Sequence, residues 1–434
     1  MLNGLIVFVA LASVLLAAAS GQMQAMTDSV VTSAEGAVEL AIGLIGLMAF
    51  FLGLFRVAED AGLLRHLAGL VRPLMCRLFP SVPADSPAMS AMILNISSNM
   101  LGLGNAATPF GIKAMEELEK LNTETGTATN AMVLFLAINT SALAVLPSGV
   151  VALRASVGSQ DAMGILLPTW FASGCATLVA ITAGLVLSRL PHYRRTEPSP
   201  VTPGHYAQEQ GSTGMGELNA PTQLHPRPVR QWLTRAFWLL LFAFLARTLW
   251  TSRTTATAEL LTTTASAWLL PILIAVLVLY GWVRGVRVYD SLVDGAKQGF
   301  QVAIRIIPYL VAILVTVGMF RASGGIDLIV AFLGPATGLF GLPAEALPMA
   351  LLRPLSGSGA FGVMAEAMTA HGPDSFIGYM VSTFQGSTET TFYTLAVYYG
   401  AVGVRNTRHT VPTCLLADIA GILAAVFVVN MMFG

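Results

Sequence analysis

The chain has 434 residues, of which 55% are hydrophobic and 11% are Asp, Glu, Lys or Arg, whereas an ordinary soluble domain has about 25% charged residues. A soluble protein of this size needs a charged surface, so this composition excludes a soluble enzyme and a nucleic-acid-binding protein. The net charge is zero, so only the distribution of the charges is informative.

Nine apolar stretches are long enough to cross a bilayer, which takes about 20 mostly apolar residues. They are 2–20, 37–55, 127–153, 163–189, 232–252, 267–283, 298–320, 375–403 and 411–433. Two further segments, 87–120 and 346–371, are rich in Gly, Pro, Asn and Ser and are predicted to be re-entrant or broken helices. The first stretch also has features of a signal peptide, but no basic residue precedes it, which favours a retained span. The predicted fold class is an all-α polytopic membrane protein with about nine full spans plus two re-entrant hairpins.

Residues 191–231 differ from the rest of the chain because they are rich in Pro, Gly, Gln and Ser. This composition is typical of a flexible linker. It divides the chain into a first membrane half at 1–190, the linker, an extra connecting span at 232–266 and a second membrane half at 267–434. The histidines of the linker and the three cysteines of the chain show no recurring ligand spacing, so no metal site is predicted.

The basic residues predict an orientation, since Lys and Arg concentrate in cytoplasmic loops. If the N-terminus is cytoplasmic, the regions 56–126, 190–235, 284–297 and 404–410 fall inside and hold sixteen basic residues. The outside regions 21–36, 154–162, 253–266 and 321–374 hold four. We therefore expect a multi-pass protein of the bacterial inner membrane with its N-terminus in the cytoplasm and its C-terminus outside.

The two halves share an order of features. Phe55-Arg56 and Phe320-Arg321 each precede a Gly-containing turn, a segment with an early Pro and a Gly-rich polar loop. Each repeat would cross the membrane an even number of times, so the single extra span at 232–252 would invert the second repeat relative to the first. Inverted-topology repeats with broken helices are typical of secondary transporters. The alternative is that two hydrophobic halves resemble each other by composition alone.

Four polar clusters lie in apolar context, at 95–109, 139–141, 353–359 and 385–391. Within a bilayer such breaks are tolerated only where the backbone is buried in protein or lines a wet cavity, and repeat symmetry would bring all four to the interface between the halves. The candidate substrate-binding residues are Asn95, Asn99, Asn105, Thr108, Asn139, Thr140, Ser141, Arg353, Ser356, Ser358, Gln385, Ser387, Thr388, Glu389 and Thr390. The alternative for each cluster is helix packing, in which small residues allow close approach and polar groups bond across helices.

Ionisable residues at membrane depth are a further indication of function, because each costs about 2.5–3.5 kcal/mol on insertion scales. Glu389 lies near the middle of an apolar stretch and Arg353 lies at a broken segment. The two are predicted to pair across a cavity, or Glu389 binds a coupling Na⁺ or H⁺. The alternative is a structural ion pair. Glu366 and Asp374 are interpreted as loop or helix-end charges.

The polar clusters also carry a family resemblance. The run from Asn95 to Pro109, together with Asn139-Thr-Ser141, resembles spore maturation protein A. The run from Arg353 to Ala360, together with the run from Gly386 to Thr394, resembles spore maturation protein B. The chain is therefore similar to a fusion of the two, and the resemblance implies the nucleoside-recognition gate superfamily. That superfamily includes parts of nucleoside transporters and of a ferrous-iron permease, but a shared fold does not name a substrate.

These observations predict a non-enzymatic membrane transporter that moves a small polar or ionic solute by alternating access. Its expected partners are the lipid bilayer and the solute, with no nucleic acid, and a homo-oligomer is possible. The alternative is a non-transporting membrane scaffold or regulator of the spore-maturation type. A membrane enzyme is a third reading, but no nucleophile, phosphate-binding loop or metal set supports it.

Overall fold

The computed structural model describes residues 2–102, 104–141, 143–198, 228–252 and 258–434. Its regular elements are helices, and an isolated bridge between Thr127 and Asn406 is the nearest approach to a strand among the described residues. Large apolar side chains such as Phe8, Leu15 and Phe427 are 61–70% exposed on the outer surface, as expected of helices that face lipid. The prediction of an all-α membrane protein is confirmed.

The first half contains nine helices within the described residues. They are α1 (Leu2–Ser20), α2 (Met23–Asp60), α3 (Leu63–Leu78), α4 (Pro87–Met100), α5 (Gly104–Lys120), α6 (Asn130–Thr140), α7 (Ser148–Ser156), α8 (Leu166–Ser188) and α9 (Pro191–Arg194). The Ser86 hydroxyl accepts from the Met89 amide and Pro87 occupies the first turn, so α4 starts with both of the usual N-terminal signals.

The second half has a similar set of elements. They are α10 (Pro228–Ser252), α11 (Ala258–Arg284), α12 (Val288–Ala322), α13 (Gly325–Gly338), a 3₁₀ turn (Ala344–Ala346), α14 (Leu347–Leu352), α15 (Gly357–His371), α16 (Phe376–Ser387), α17 (Thr391–Val402) and α18 (Thr410–Phe433). The series α12 to α18 follows the same order as α2 to α8. Each series begins with a long helix that ends at a left-handed glycine, Gly62 with φ of 83° or Gly324 with φ of 78°, a conformation that glycine adopts without a steric penalty.

The two long helices α2 and α12 pack against each other in opposite directions. A Cβ atom at Gly295 would lie 2.5 Å from the Leu52 carbonyl oxygen, and one at Gly318 would lie 2.3 Å from the Ser33 hydroxyl. Residues nearer the C-terminus of α2 therefore contact residues nearer the N-terminus of α12, so the two helices are antiparallel. The glycines are required here because they let the two backbones approach closely, as small residues do in membrane helix pairs.

The helices α8 and α18 form a second antiparallel pair. The Phe171 and Phe427 rings lie 6.1 Å apart between centroids, and a Cβ at Gly184 would lie 3.7 Å from the Thr413 methyl group. Both α6 and α16 pack against this pair. The short helices that carry the predicted polar clusters are therefore held at the centre of the fold.

Arginines hold the turns at opposite ends of this central region. Arg154, which is fully buried in α7, donates to the Pro373 carbonyl oxygen at 2.7 Å and pairs with Asp374 at 2.8 Å. Arg408 donates to the Ala128 carbonyl oxygen at 3.1 Å and to Asn130 at 2.8 Å. Arg154 thus joins two regions predicted to lie outside, whereas Ala128 and Asn130 belong to the predicted span 127–153. Arg408 also donates to the Tyr193 carbonyl oxygen, which lies in a predicted inside region as Arg408 does, and the orientation of the chain stays a prediction.

Three described helices are long and apolar enough to cross a membrane by length and composition, namely α2, α8 and α18. The count of nine spans and the division of the chain into four segments stay predictions. The predicted start of the second span at residue 37 is wrong, because α2 begins at Met23 and continues through the region 21–36. The predicted linker starts with α9, its last four residues belong to α10, and 199–227 lie outside the described residues.

Glu366 was interpreted as a loop or helix-end charge, and that interpretation is wrong. It lies in the body of α15 with 13% of its side chain exposed, and its carboxylate pairs with Arg321 at 2.6 Å. A charge at this position is tolerated because Arg321, at the end of α12, supplies a partner.

Candidate functional site: a polar cavity at four helix breaks

Four interruptions divide the predicted re-entrant segments 87–120 and 346–371 and the predicted spans 127–153 and 375–403. They separate α4 from α5, α6 from α7, α14 from α15 and α16 from α17. Gly102, in the first break, has φ of 75°, and a Cβ there would lie 2.6 Å from the Leu146 carbonyl oxygen in the second break. Glycine is therefore required at this position both by its backbone conformation and by the close approach of a neighbouring chain.

Backbone hydrogen bonds join the breaks to one another. The Val145 amide donates to the Met100 carbonyl oxygen at 2.7 Å, and the Glu389 amide donates to the Thr140 carbonyl oxygen at 2.7 Å. The Phe392 amide, just after the fourth break, donates to the Pro354 carbonyl oxygen in the third at 3.1 Å. Polar backbone groups freed by each break are thus satisfied by the others, as an apolar surrounding requires.

A cavity of about 420 Å³ lies where the four breaks meet, a size that lies within the usual range of roughly 300–1,000 Å³ for small-molecule sites. The two breaks of the first half contribute Gly102 and Pro147, and those of the second half contribute Arg353 and Glu389. The first residues of α7 and α15 also line it. Three of the four polar clusters, at 95–109, 353–359 and 385–391, contribute residues to the lining, whereas the cluster at 139–141 does not.

Six predicted site residues line this cavity: Asn99, Arg353, Ser358, Gln385, Thr388 and Glu389. They offer amide, hydroxyl and charged groups against an apolar background that includes Phe361. An arrangement of few polar groups in a mostly apolar cavity is usual for a site that orients a small ligand.

Arg353 and Glu389 form the charged part of the cavity wall, with 3.7 Å between Nη2 of Arg353 and Oε2 of Glu389. The Arg353 side chain is 3% exposed and the Glu389 side chain is 56% exposed. Arg353 also donates to the Thr390 hydroxyl at 3.1 Å and to the carbonyl oxygens of Gln385 and Thr388. Glu389 is therefore the charged side chain of the cavity that solvent can reach. Most N–H donors of Arg353 instead form hydrogen bonds that stabilise the fourth break.

Several predicted site residues do not line the cavity and form hydrogen bonds within the protein. Asn95 is fully buried and donates to the Ala107 carbonyl oxygen and the Tyr398 hydroxyl. Thr140 and Ser387 donate to carbonyl oxygens of their own helices, and Ser356 caps α15 by accepting from the Gly359 amide. The Asn95 bonds cross between helices, as the helix-packing alternative expects, whereas Thr140, Ser387 and Ser356 bond within their own helices.

The remaining predicted residues stand at the edge of the site. Asn139 accepts a hydrogen bond from Asn99 at 2.8 Å, and both also line a smaller apolar cavity of about 130 Å³ between α3, α4, α6 and α8. Ser141 is bonded to Thr177, and Thr390 accepts from Arg353. Thr108 is half-buried in α5. The side chain of Asn105 lies outside the described residues.

Sequence reasoning missed a buried carboxylate next to the site. Asp418 lies in α18, is 2% exposed, and accepts a hydrogen bond from the Thr391 hydroxyl at 2.7 Å. It is an ionisable residue inside the predicted span 411–433, so the rule that selected Glu389 would have selected it too. Arg154 was also missed, because it was counted as a loop residue.

The comparisons with known proteins agree with this architecture. A profile of the nucleoside-recognition Gate family matches residues 41–156 and 303–405. Spore maturation protein B of Bacillus subtilis strain 168 is 46% identical over 166 residues, which are 38% of this chain and 93% of that protein. Spore maturation protein A of the same strain is 37% identical over 195 residues, which are 45% of this chain and 97% of that protein.

The inner membrane protein YjiG of Escherichia coli strain K12 is 34% identical over 85 residues, which are 19% of this chain and 56% of that protein. No solved structure matches significantly. The two spore maturation relatives cover the chain in two parts, as the predicted fusion requires. This multi-pass α-helical membrane protein therefore belongs to the nucleoside-recognition Gate family.

Proposed function

We propose that this protein is a transporter of a small polar or ionic solute, and that the cavity at the four helix breaks is the solute site. The observation that carries the proposal is the convergence of interrupted helices from both halves on one polar cavity. Broken helices around a central site are the usual binding arrangement of secondary transporters.

The binding role falls first on the residues whose polar groups reach the cavity. Asn99, Gln385 and Ser358 offer amide and hydroxyl groups, which suit a neutral polar ligand. Glu389 is the accessible charge of the site, so it would bind a cationic group of the solute or a coupling Na⁺ or H⁺. Arg353 would contribute chiefly by shaping the break and by its positive charge.

Alternating access would follow from an inverted repeat. The corresponding helices α2 and α12 run antiparallel, and so do α8 and α18, which is the relation that a two-fold axis in the membrane plane produces. Exchange of conformations between the two halves would then open the cavity to each side in turn. We propose the inner membrane as its location, with the N-terminus in the cytoplasm.

The test is reconstitution of the full chain into liposomes and uptake of a panel of labelled polar solutes, including nucleosides, amino acids and organic acids. We expect at least one solute to enter, and Glu389→Gln to abolish or uncouple its uptake while the variant still inserts. The matched control is Asp294→Asn, because Asp294 is an exposed acid in α12 that pairs with Lys297. Full activity of Glu389→Gln would remove Glu389 from the mechanism.

A second candidate is a non-transporting membrane scaffold that acts as a homo-oligomer. It is favoured by the number of predicted site residues that are locked into internal contacts, such as Asn95, Ser356 and Thr390. The scaffold proposal expects no uptake of any solute by the correctly folded protein, and it expects cavity substitutions such as Ser358→Val to leave its cellular role intact.

A further inference from the structure

A second carboxylate lies behind the cavity wall. Asp418 does not line the cavity, and its side chain is almost fully buried in α18. One of its oxygens accepts from the Thr391 hydroxyl, whereas Oδ1 has no hydrogen-bond partner among the described residues. Buried carboxylate oxygens are usually paired, so an unpaired one indicates an unassigned ligand, which for a lone carboxylate at membrane depth is most simply a proton.

Arg353 interacts with both acidic groups. Its guanidinium lies 3.7 Å from the Glu389 carboxylate and interacts electrostatically with Asp418. One cation therefore faces two potential anions, and the cluster carries a surplus negative charge when both acids are ionised. Unbalanced charge in an apolar surrounding is unfavourable, so one of the acids has a strong tendency to take up a cation or a proton.

We infer that Asp418 is a proton-binding site, coupled through Arg353 to the occupancy of Glu389 in the cavity. The proton adds to a carboxylate oxygen of Asp418 and gives a neutral carboxylic acid, and it comes from water in the cavity. This inference rests on the proposed transport function and deepens it, because it names a coupling site separate from the solute site.

The surroundings leave Arg353 as the charged partner of Asp418. On α18 itself Cys414 interacts with Asp418. The tyrosines of the neighbouring α16 and α17 have other partners or are exposed: Tyr379 bonds to Asp161, Tyr398 to Asn95 and Tyr399 to Thr410, and Tyr393 is 63% exposed. The α6 sequence has no titratable side chain, and α8 has Cys175 alone. The state of Arg353 therefore governs the charge that Asp418 can hold.

A short path, made of two residues of backbone and one hydrogen bond, connects the two acids. Thr391, which donates to Asp418, is the first residue of α17 and lies two positions after Glu389. Loss or gain of charge at Asp418 changes the hydrogen bond that anchors α17, and ligand binding at Glu389 acts on the same break. Proton binding and solute binding are thereby linked through one backbone element.

The test is infrared difference spectroscopy of the full-length protein in lipid bilayers during a pH titration, which needs no knowledge of the solute. We expect a carbonyl stretching band of a protonated carboxylic acid that titrates with pH. Asp418→Asn should remove this band, Asp418→Glu should retain it at a shifted frequency, and Thr391→Val should shift it because one hydrogen bond is lost. The control Glu366→Gln, which removes the buried acid paired with Arg321, should leave it unchanged.

Coupling has its own readout in the same experiment. In Glu389→Gln, Asp418 becomes the remaining acid that balances Arg353, so the band should lose intensity at neutral pH. A band that survives in Asp418→Asn, or that does not respond to Glu389→Gln, would overturn the inference. Failure of every solute in the liposome assay with the band intact would instead count against the transport proposal alone.

Discussion

Substitution of Arg154 by Gln is a direct test of how the two halves are held together. Arg154 in the first half contacts the turn before α16 in the second half, and it donates five hydrogen bonds. The acceptors are the Pro373 and Asp161 carbonyl oxygens, the Ser382 and Ser159 hydroxyls and the Asp374 carboxylate, at 2.7–3.3 Å. Its guanidinium also lies over the Tyr379 ring, 4.4 Å from the centroid.

The magnitude follows from these contacts. A hydrogen bond from a charged donor contributes about 1.5–3 kcal/mol, but the contributions of five bonds are not additive because burial of the charge opposes them. Removing one partner of a buried ion pair typically costs about 3–5 kcal/mol, and we expect Arg154→Gln to lower the free energy of unfolding by that amount. Arg154→Lys keeps the positive charge but not the planar guanidinium group, so it should lower the free energy of unfolding by less than Arg154→Gln does.

The assay is unfolding of the purified protein in detergent, followed by circular dichroism as denaturant is added. The matched control is Arg287→Gln, because the Arg287 side chain is 87% exposed in its pair with Asp290, and exposed substitutions usually change stability by less than about 0.5 kcal/mol. If Arg154→Gln unfolds with the same free energy as Arg287→Gln, Arg154 does not join the halves as described.

Two further predictions test the helix packing and the cavity. Gly53→Ala should destabilise the fold by about 1–3 kcal/mol, the usual effect of overpacking, because its Cβ would lie 2.5 Å from the Leu292 carbonyl oxygen. Gly46→Ala, in the same helix with nothing within 4 Å, should be neutral or stabilising in the same denaturant unfolding assay, and equal effects would contradict the packing of α2 on α12. Ser358→Cys should react with a small charged thiol reagent because Ser358 lines the cavity, whereas Ser387→Cys should stay unmodified because Ser387 is fully buried. Equal labelling rates in mass spectrometry would show that the cavity does not admit solvent.

The polar clusters were predictable from the sequence because Gly, Pro and amide residues cannot continue a lipid-exposed helix. That constraint is local, so it located the four breaks without any tertiary information. Which residues of each cluster line the cavity and which form internal hydrogen bonds was not predictable. Asn95 and Asn99 lie four residues apart on α4, yet Asn95 bonds to Tyr398 and Asn99 lines the cavity, because the choice depends on which distant helix each side chain meets.

The roles of the buried charged residues were likewise only partly predictable from the sequence. Glu389 was identified because it interrupts an apolar stretch, while Glu366 was misassigned and Arg154 was counted as a loop residue. The partners that allow these last two charges to be buried are Arg321 and Asp374. Each partner lies far away in sequence, and the energy of a buried charge is set by its partner more than by its local sequence.

Composition and hydropathy alone determined that this protein is an α-helical membrane protein, because a chain with 11% charged residues has too few to make a water-facing surface. Motif order alone indicated two related halves and their family. Only the tertiary structure decided which helices pair with each other, which residues of the four breaks line one cavity, and that Asp418 stands behind Arg353. Those features arise from contacts between residues tens to hundreds of positions apart, which no local pattern encodes.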